Sequence, residues 1–396
     1  MKISQRGSHV KESPLRVLAV LASQVEDKGK KVYRLNVGEP DDYPPGRVFD
    51  ALTLFKKQKI KYAPAVGLPE LIEAWQSFYK DVGINVNSNE LVVTSGASEA
   101  LIFALAALAD ANDEVIVFEP YYANYTSLAT LLGVKLVPLK FKKDGQGYKL
   151  PSRNDIEDKI TDRTKAILFD NPSNPSGYHY STEDLKTLGE LAIKHGITLI
   201  GDEVYRGIAF EGSSKSLLTL PGYKDNVVIV DSVSKRFNLC GLRIGCLVCR
   251  DQKLIAAVRR FAQGRMAISV VDQKVAVETL NNSLEHTQNL VQIYQKRRQV
   301  LIDNLGGLKE IEISIPAGTF YSFIRLPGKS SDEFARWLLT DYSHDNQTVA
   351  VAPGGGFYLN PQDGQEEFRI ALVLKSDELQ IALGILRKAI QEFVNK

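Results

Sequence analysis

The residues best suited to chemistry lie between positions 231 and 245, where hydroxyl, amine and guanidinium groups are crowded into one short segment. Ser232 and Ser234 precede Lys235, and Arg243 follows in the same segment. Hydroxyls close to a guanidinium bind anions such as phosphate. A lysine held among them beside a sheet core can form a Schiff base with a carbonyl compound. The plainer alternative, an exposed basic turn, requires neither the two serines nor the flanking glycines.

Two further polar clusters each follow an apolar run. In residues 170–177 (DNPSNPSG) two Asn-Pro pairs restrict the backbone and direct Asn174 to one position. In residues 201–205 (GDEVY) Asp202 is a carboxylate at a strand end, where burial is costly unless a cation or donor pairs with it. The alternatives are a rigid surface loop for the first cluster and a helix N-cap at Asp202 or Glu203 for the second.

A third cluster, residues 94–99 (TSGASE), precedes an apolar helix. A glycine turn that leads into a helix N-terminus presents free backbone N–H groups and the positive end of the helix dipole, which suits a phosphate. The same residues would also serve as ordinary helix caps, so this motif alone leaves both interpretations open.

The three cysteines, Cys240, Cys246 and Cys249, include one C-x-x-C pair, which is a pattern of redox or zinc sites. The pair lies in an apolar run, residues 245–249, that is bounded like a strand. Residues three apart on a strand point to opposite faces, and no second pair or histidine cluster completes a site. We therefore predict small buried hydrophobic side chains and no metal.

Short apolar runs position these clusters. The runs at 91–94, 114–118, 165–169, 198–201 and 227–230 are rich in Val and Ile without polar alternation, which is typical of strands buried on both faces. Intervening stretches such as 181–195 carry helix start and stop signals. The pattern predicts an α/β fold with a mainly parallel sheet sandwiched by helices. Ligands of such sheets bind at the carboxyl ends of the strands, which is where the polar clusters lie.

The C-terminal part of the chain has a different pattern. A long charged helix is predicted around residues 295–298, and strand-like runs follow at 320–324 and 368–372. This mixture predicts a smaller α+β domain. We expect a large domain at residues 46–275 and a small domain formed by residues 1–45 and 276–396.

Composition excludes several classes of partner. The 396 residues are 44% hydrophobic and 24% charged, which is ordinary for a globular protein. A net charge of +2 without basic clusters argues against nucleic acid. The longest apolar stretch, within residues 101–109, is too short to span a bilayer, and no cleavage site follows the apolar patch at residues 15–21. We expect a cytoplasmic protein without a membrane partner.

Residues 171–177, 202–205 and 232–243, in this order and spacing, resemble the signature of the class I and II aminotransferases. This is the aspartate aminotransferase-like family of fold type I pyridoxal-phosphate enzymes, and the resemblance covers nearly the whole chain. It implies pyridoxal 5'-phosphate as cofactor, an α-amino acid and a 2-oxo acid as substrates, and a homodimer with shared active sites. The cofactor ring would act as the electron sink of the reaction.

The resemblance also implies roles for individual residues. Lys235 would hold the cofactor covalently and move the substrate proton, and Asp202 would keep the pyridine nitrogen protonated. Tyr205 and Asn174 would hydrogen-bond the phenolic oxygen, and Tyr122 would stack on the ring. The phosphate contacts would come from a larger set, Gly96, Ala97, Ser98, Ser232, Ser234 and Arg243, together with Tyr62 of the neighbouring subunit.

The substrate contacts implied by the resemblance are fewer. Arg369 would bind the α-carboxylate through two hydrogen bonds. Gly38 and Asn174 would also contact the substrate. Arg265 lies in a segment expected to approach the neighbouring site, where it would read a second carboxylate. A surface or interfacial ion pair is the alternative for Arg265. Ser98 stands where some bacterial aspartate aminotransferases have a lysine that reads the distal carboxylate.

These residues predict transfer of an amino group from an α-amino acid, with aspartate as the best candidate, to a 2-oxo acid, with 2-oxoglutarate as the best candidate. An aromatic or aliphatic donor is the alternative substrate. A C–S lyase, a decarboxylase or an oxidase would share the same cofactor contacts. A metabolite-sensing regulator without turnover is the alternative outside enzymes.

Overall fold

The computed structural model describes residues 2–10, 14–45, 48, 50–53, 55, 59–145, 147–210, 212, 214–281 and 283–396. Within the described residues, no helix combines the length and apolar character needed to cross a bilayer. The helices are α1 (Gln5–His9), α2 (Pro14–Asp27), α3 (Asp50–Thr53), α4 (Pro69–Asp81), α5 (Gly96–Leu108), α6 (Asn124–Leu132), α7 (Arg153–Glu157), α8 (Thr182–His195), α9 (Val233–Arg236), α10 (Gln252–Arg265), α11 (Val270–Asn281), α12 (Ser283–Leu305), α13 (Ser331–Thr340) and α14 (Ser376–Val394). The strands are β1 (Lys31–Arg34), β2 (Leu91–Thr94), β3 (Glu114–Glu119), β4 (Lys135–Lys140), β5 (Lys142–Asp144), β6 (Gly147–Lys149), β7 (Thr164–Asp170), β8 (Thr198–Asp202), β9 (Val227–Ser232), β10 (Gly245–Cys249), β11 (Glu312–Ile313), β12 (Tyr321–Arg325), β13 (Gln347–Ala350), β14 (Ala352–Pro353) and β15 (Glu367–Ala371).

The central sheet has the strand order β2-β10-β9-β8-β7-β3-β4. The five strands from β9 to β4 are parallel, and β10 runs antiparallel between β2 and β9. The predicted α/β fold with a mainly parallel sheet is therefore confirmed. The edge strand β4 was not predicted, because it contains Pro138 and has several residues that are only half-buried, as edge strands do.

Both faces of this sheet are covered by helices because its strands are apolar on both sides. One face packs against α4 and α8, with Trp75 and Leu188 in the core. The other face packs against α5 and α10, with Leu101 and Val258 in the core. Cys246 and Cys249 are free thiols that belong to opposite cores. Their side chains point away from each other, as their spacing on a strand requires.

A third core surrounds the four-stranded antiparallel sheet β11-β12-β15-β14 and helices α12, α13 and α14. The strands predicted at 320–324 and 368–372 correspond to β12 and β15, and the predicted charged helix corresponds to α12. Val204 and Tyr205 belong to this core although they follow β8 of the central sheet. The smaller unit thus reaches the strand ends of the larger one, and the predicted domain bounds remain a prediction.

The strand ends that carry the polar clusters lie side by side. Asp170 at the end of β7 is in register with Asp202 at the end of β8. Gly245, which begins β10, pairs with Ser232 of β9 on one side and with Thr94 of β2 on the other. The four loops that follow β2, β7, β8 and β9 therefore meet at one edge of the sheet.

Candidate active site

A cleft with a volume of about 390 Å³ opens at this carboxyl edge. Its walls come from the loops after β2, β7, β8 and β9 and from β12 and β15. Most of the site residues predicted from the sequence line this cleft: Gly38, Ala97, Ser98, Tyr122, Asn174, Asp202, Tyr205, Ser232, Ser234, Lys235, Arg243 and Arg369.

Lys235 lies on α9, a single helical turn that begins directly after β9. The hydroxyl of Ser232 caps this turn by accepting a hydrogen bond from the Ser234 N–H at 3.0 Å. Lys235 Nζ donates to the backbone carbonyl of Gly38 at 2.8 Å and lies 3.7 Å from the Sγ of Cys240. A carbonyl ligand can replace both contacts, so the amine is positioned to react.

Asp202 ends β8 and is buried, with 4% of its surface exposed. Its carboxylate accepts only long hydrogen bonds, from Tyr125 Oη and from the Val204 N–H, both at 3.4 Å. Burial raises the pKa of Asp202 well above its usual range, and the nearby Asp170 carboxylate raises it further. In the described part of the chain Asp202 forms no ion pair. A buried carboxylate with only long hydrogen bonds and no ion pair would be stabilised by a ligand that carries a cationic N–H group.

Arg369 projects from β15 at the far end of the cleft and is buried. Its Nη1 donates to Asn174 Oδ1 at 3.0 Å and its Nη2 to the Asn36 carbonyl at 2.9 Å. The guanidinium lies 4.3 Å from the ring centre of Tyr321, and its Nε has no hydrogen-bond acceptor among the described residues. A planar guanidinium with an unused donor in an aromatic pocket suits a ligand carboxylate.

Tyr205 and Gly38 face the same aromatic residue. The hydroxyl groups of Tyr205 and Tyr321 lie 3.1 Å apart, and burial raises the pKa of Tyr205 well above its usual range. A Cβ atom at position 38 would lie 1.7 Å from the Tyr321 hydroxyl. Only glycine therefore allows residue 38 to approach this wall, which also places its carbonyl against Lys235.

The opposite end of the cleft is suited to a phosphate. Helix α5 begins there with Gly96, whose φ is +72°, followed by Ala97 and Ser98. A Cβ atom at position 96 would lie 2.5 Å from Arg243 Nη2, so glycine lets the guanidinium approach the start of the helix. The N–H groups at a helix start and a guanidinium together bind anions. Gly96 thus allows Arg243 to approach the start of α5, although Gly96 itself is not part of the cleft wall.

Tyr122 is an aromatic residue in the lining of the cleft. Its hydroxyl accepts a hydrogen bond from Asn124 Nδ2 at 2.8 Å. Burial raises its pKa to about 12, with a smaller contribution from Tyr321. The side chain is therefore neutral at physiological pH, and its ring is available for contact with a planar ligand.

Two predicted site residues lie outside the cleft of their own chain. Tyr62 is 85% exposed. Arg265 Nη2 donates to the backbone carbonyls of Ala65 and Val93 at 3.1 and 3.2 Å, and its Nε lies 3.6 Å from a carboxylate oxygen of Glu99. Arg265 is thus engaged within its own subunit through Nη2 and Nε, as the ion-pair alternative predicts, whereas its buried Nη1 has no hydrogen-bond acceptor among the described residues.

Several cleft residues were missed from the sequence. Tyr321 and Phe357 line the cleft beside Arg369, but an aromatic residue in an apolar run is typical of a core. Asn36 supplies the carbonyl that positions Arg369, and its own buried amide group has no partner among the described residues. The sequence signal for Asn36 was that an asparagine interrupts the apolar run around residue 35.

The residues present fit pyridoxal phosphate. The observation that decides this is the buried carboxylate of Asp202, which lacks a cation among the described residues and lies in the same cleft as a reactive amine and an anion-binding helix start. A protonated pyridine nitrogen, an aldehyde and a phosphate are the groups that would satisfy these three features.

The mainly parallel sheet, with a lysine-bearing turn at its carboxyl edge and a smaller α+β unit beside it, is the fold type I architecture of pyridoxal-phosphate enzymes. Residues 30–386 match the sequence profile of the family described as "Aminotransferase class I and II". The chain belongs to this family. It is an aminotransferase, in a family whose members use pyridoxal phosphate.

Several named proteins are similar to this chain. A relative from Aquifex aeolicus, described as a probable aspartate/prephenate aminotransferase, is 29% identical over 98% of this chain and 99% of its own length. The aspartate aminotransferase of Thermotoga maritima superposes with a TM-score of 0.88 at 28% identity, covering 100% of both chains. The alanine aminotransferase of Pyrococcus furiosus superposes with a TM-score of 0.89 at 29% identity, covering 99% of this chain and 100% of its own.

Proposed function

We propose that the cleft binds pyridoxal 5'-phosphate with Lys235 as the covalent attachment site and Asp202 as the partner of the ring nitrogen. Tyr205 and Asn174 would donate to the phenolic oxygen, and Tyr122 would contact the ring face. The phosphate would be held at the start of α5 by a set that comprises Gly96, Ala97, Ser98, Ser232, Ser234 and Arg243. When bound, this cofactor supplies a ring that accepts the electron pair released at the substrate α-carbon.

The protein's own residues would supply the rest of the chemistry. Arg369 binds the α-carboxylate of the amino acid, because it is a buried guanidinium of the cleft with an unused donor, whereas Arg243 lies against the start of α5. The Lys235 amine, once free, would take the proton from the substrate α-carbon and deliver it to C4′ of the cofactor. Asp202 keeps the ring nitrogen protonated by ion pairing. The position of all three side chains in one cleft is the observation that carries this proposal.

We propose aspartate as the amino donor and 2-oxoglutarate as the acceptor. The names of the relatives from Aquifex aeolicus and Thermotoga maritima support this choice, because both include aspartate. A specific observation favours the aromatic or aliphatic alternative. The cations among the described residues that line the cleft are Lys235, Arg243 and Arg369, and each already has a role. A second carboxylate would need a cation from elsewhere, whereas an apolar side chain would not.

A panel of donors tests this proposal. Aspartate, alanine and phenylalanine would each be offered with 2-oxoglutarate, and each half-reaction would be followed by cofactor absorbance. We expect kcat/KM for aspartate to exceed that for the other two by at least about tenfold, or roughly 1.4 kcal/mol. Equal or reversed values would contradict the dicarboxylate assignment. Formation of one 2-oxo acid for each amino group accepted would separate transfer from the lyase, decarboxylase and oxidase alternatives.

We propose that Arg265 is structural. Replacing it with alanine leaves the Ala65 and Val93 carbonyls without their donor, so we expect a loss of stability of about 1–3 kcal/mol in urea unfolding. We expect kcat/KM for aspartate, alanine and phenylalanine to change by the same factor. Arg260→Ala, an exposed position on the same helix, is the matched control. A selective loss of aspartate activity in Arg265→Ala would restore the interpretation that Arg265 reads the substrate.

We also propose a homodimer with shared sites, in the cytoplasm. The support lies in two exposed aromatic side chains, Tyr62 at 85% and Tyr43 at 81%, since exposed large apolar groups are available for an interface. Light scattering at assay concentrations should give twice the chain mass.

Tyr62→Phe should weaken cofactor binding about tenfold, roughly 1.4 kcal/mol, as loss of one hydrogen bond to a charged group does. A fully active monomer would rule out the shared site.

A further inference from the structure

A second cavity, which we call the back cavity, has a volume of about 750 Å³ and is larger than the cleft. Its described walls come from the end of α4, the start of α8, the start of α12 and described residues between 206 and 221. Neither the aminotransferase reaction nor the predicted site residues use this cavity. It therefore lies outside the proposed cofactor and substrate site.

Two buried arginines form the polar end of the back cavity. Arg206 is 7% exposed and Arg236 is 1% exposed. Arg206 Nε lies 3.0 Å from a Glu203 carboxylate oxygen, and Arg236 Nη2 lies 3.2 Å from Asp231 Oδ1. Arg206 Nη2 also lies 3.5 Å from Asp231 Oδ2, so Arg206 is held by two poorly aligned ion pairs, whereas Nη1 of Arg236 has no hydrogen-bond acceptor among the described residues. A buried donor without an acceptor is unfavourable, so this N–H group of Arg236 favours the entry of an anion.

The remaining walls define the kind of anion. Lys186 and Lys215 add positive charge to the lining, and Asp81 is the acidic side chain among its described residues. Glu203 and Asp231 offset the charges of the two arginines, so Lys186, Lys215 and Asp81 leave the described lining with a net positive charge. The other surfaces combine hydroxyl side chains, such as Thr182 and Thr287, with apolar groups that include Phe78. A charged end with apolar walls fits a compact acid group on an apolar body.

The back cavity is joined to the cleft by direct chain neighbours. Glu203 follows Asp202, Arg206 follows Tyr205, and Arg236 follows Lys235. Arg236 Nη2 also donates to the Glu203 carbonyl at 3.3 Å, which ties the loop after β8 to the turn that carries Lys235.

We propose that the back cavity binds a small organic acid, with its carboxylate at Arg206 and Arg236 and its apolar body against Phe78. This proposal does not depend on which amino donor the cleft accepts. Because the same backbone segments form both cavities, occupation of the back cavity changes the rate of amino transfer.

Calorimetric titration of the holoenzyme with 4-phenylbutyrate tests this proposal. We expect one binding event per chain. Arg206→Met removes one cation, and Val291→Trp fills the cavity from α12; each should weaken binding at least tenfold. Val20→Trp places the same side chain at an exposed position of α2 and should bind normally. Arg369→Gln removes the carboxylate receptor of the cleft and should leave this binding intact.

Three results would overturn the proposal. They are absence of binding, equal binding by Val291→Trp and the unsubstituted protein, and loss of binding in Arg369→Gln alone, which would place the probe in the cleft. Inorganic phosphate is the second probe. If phosphate displaced 4-phenylbutyrate as effectively as an organic acid does, the apolar body would be irrelevant to binding. The organic-acid assignment would then fail. A saturating concentration of 4-phenylbutyrate should change kcat at least twofold in Val20→Trp and have no effect on kcat in Val291→Trp.

Discussion

Replacing Lys235 with alanine is expected to lower amino transfer by more than about 10⁴-fold, or roughly 5.4 kcal/mol of barrier. The variant would lose both the proposed attachment point of the cofactor and the proposed base for the substrate proton, and the described lining of the cleft contains no second lysine. Its fold should be retained, because the Lys235 amine contacts only the Gly38 carbonyl and the Cys240 thiol within the described chain. Thermal unfolding of the cofactor-free protein should therefore change little.

The measurement combines activity with identification of the modified lysine. Borohydride treatment of the holoenzyme followed by peptide mass mapping should find the cofactor on Lys235, and Lys235→Ala should carry none. Lys159→Ala, at an exposed position far along the chain, should match the unsubstituted enzyme. Cofactor attached to a different lysine in Lys235→Ala would disprove the assignment.

The second large effect is expected at Asp202. Asp202→Asn keeps the shape of the side chain but removes its charge, so the ring nitrogen would lose the ion pair that keeps it protonated. We expect kcat/KM to fall at least about a hundredfold, or roughly 2.7 kcal/mol of barrier. A fall smaller than tenfold would show that Asp202 is not the partner of that nitrogen.

The same variant should have the opposite effect on the stability of the cofactor-free protein. Burial raises the pKa of Asp202, so the folded state holds its proton more tightly than the unfolded chain, whose aspartates titrate near pH 3.9. The unsubstituted protein therefore loses stability as the pH rises above about 4 and continues to do so up to the raised pKa. An asparagine side chain at this position does not titrate. Cofactor-free Asp202→Asn should consequently unfold at a higher temperature at pH 7 than the unsubstituted protein, by a margin that shrinks toward pH 4.

Scanning fluorimetry across this pH range, with and without cofactor, measures both effects. Saturating cofactor should reduce or reverse the difference, because at a given cofactor concentration tighter binding stabilises the folded state more and the unsubstituted protein would bind more tightly. Asp158→Asn, an exposed position, is the control. A lower unfolding temperature for cofactor-free Asp202→Asn at pH 7 would mean that the carboxylate is satisfied by the protein alone.

The sequence by itself determined most strands of the central sheet and the polar residues at their carboxyl ends. Strands such as β8 and β9 are short apolar runs without alternation, which identifies a sheet buried on both faces. The residues directly after such strands must lie at its carboxyl edge, so Asp202 and Lys235 could be brought together without coordinates. Local pattern was sufficient because each of these side chains is positioned by the strand that immediately precedes it.

Contacts between distant segments were decided only by the tertiary structure. Arg265 donates to the carbonyls of Ala65 and Val93 of its own subunit, and no local pattern identifies carbonyl acceptors so far away in the chain. Tyr321 resembles a core residue in sequence, yet the packing of β12 against the cleft makes its hydroxyl a partner of Tyr205. The back cavity likewise exists only because the loop after β8 meets the start of α12. Periodicity reports which face of an element is buried, whereas the partner of that face depends on how the elements pack together.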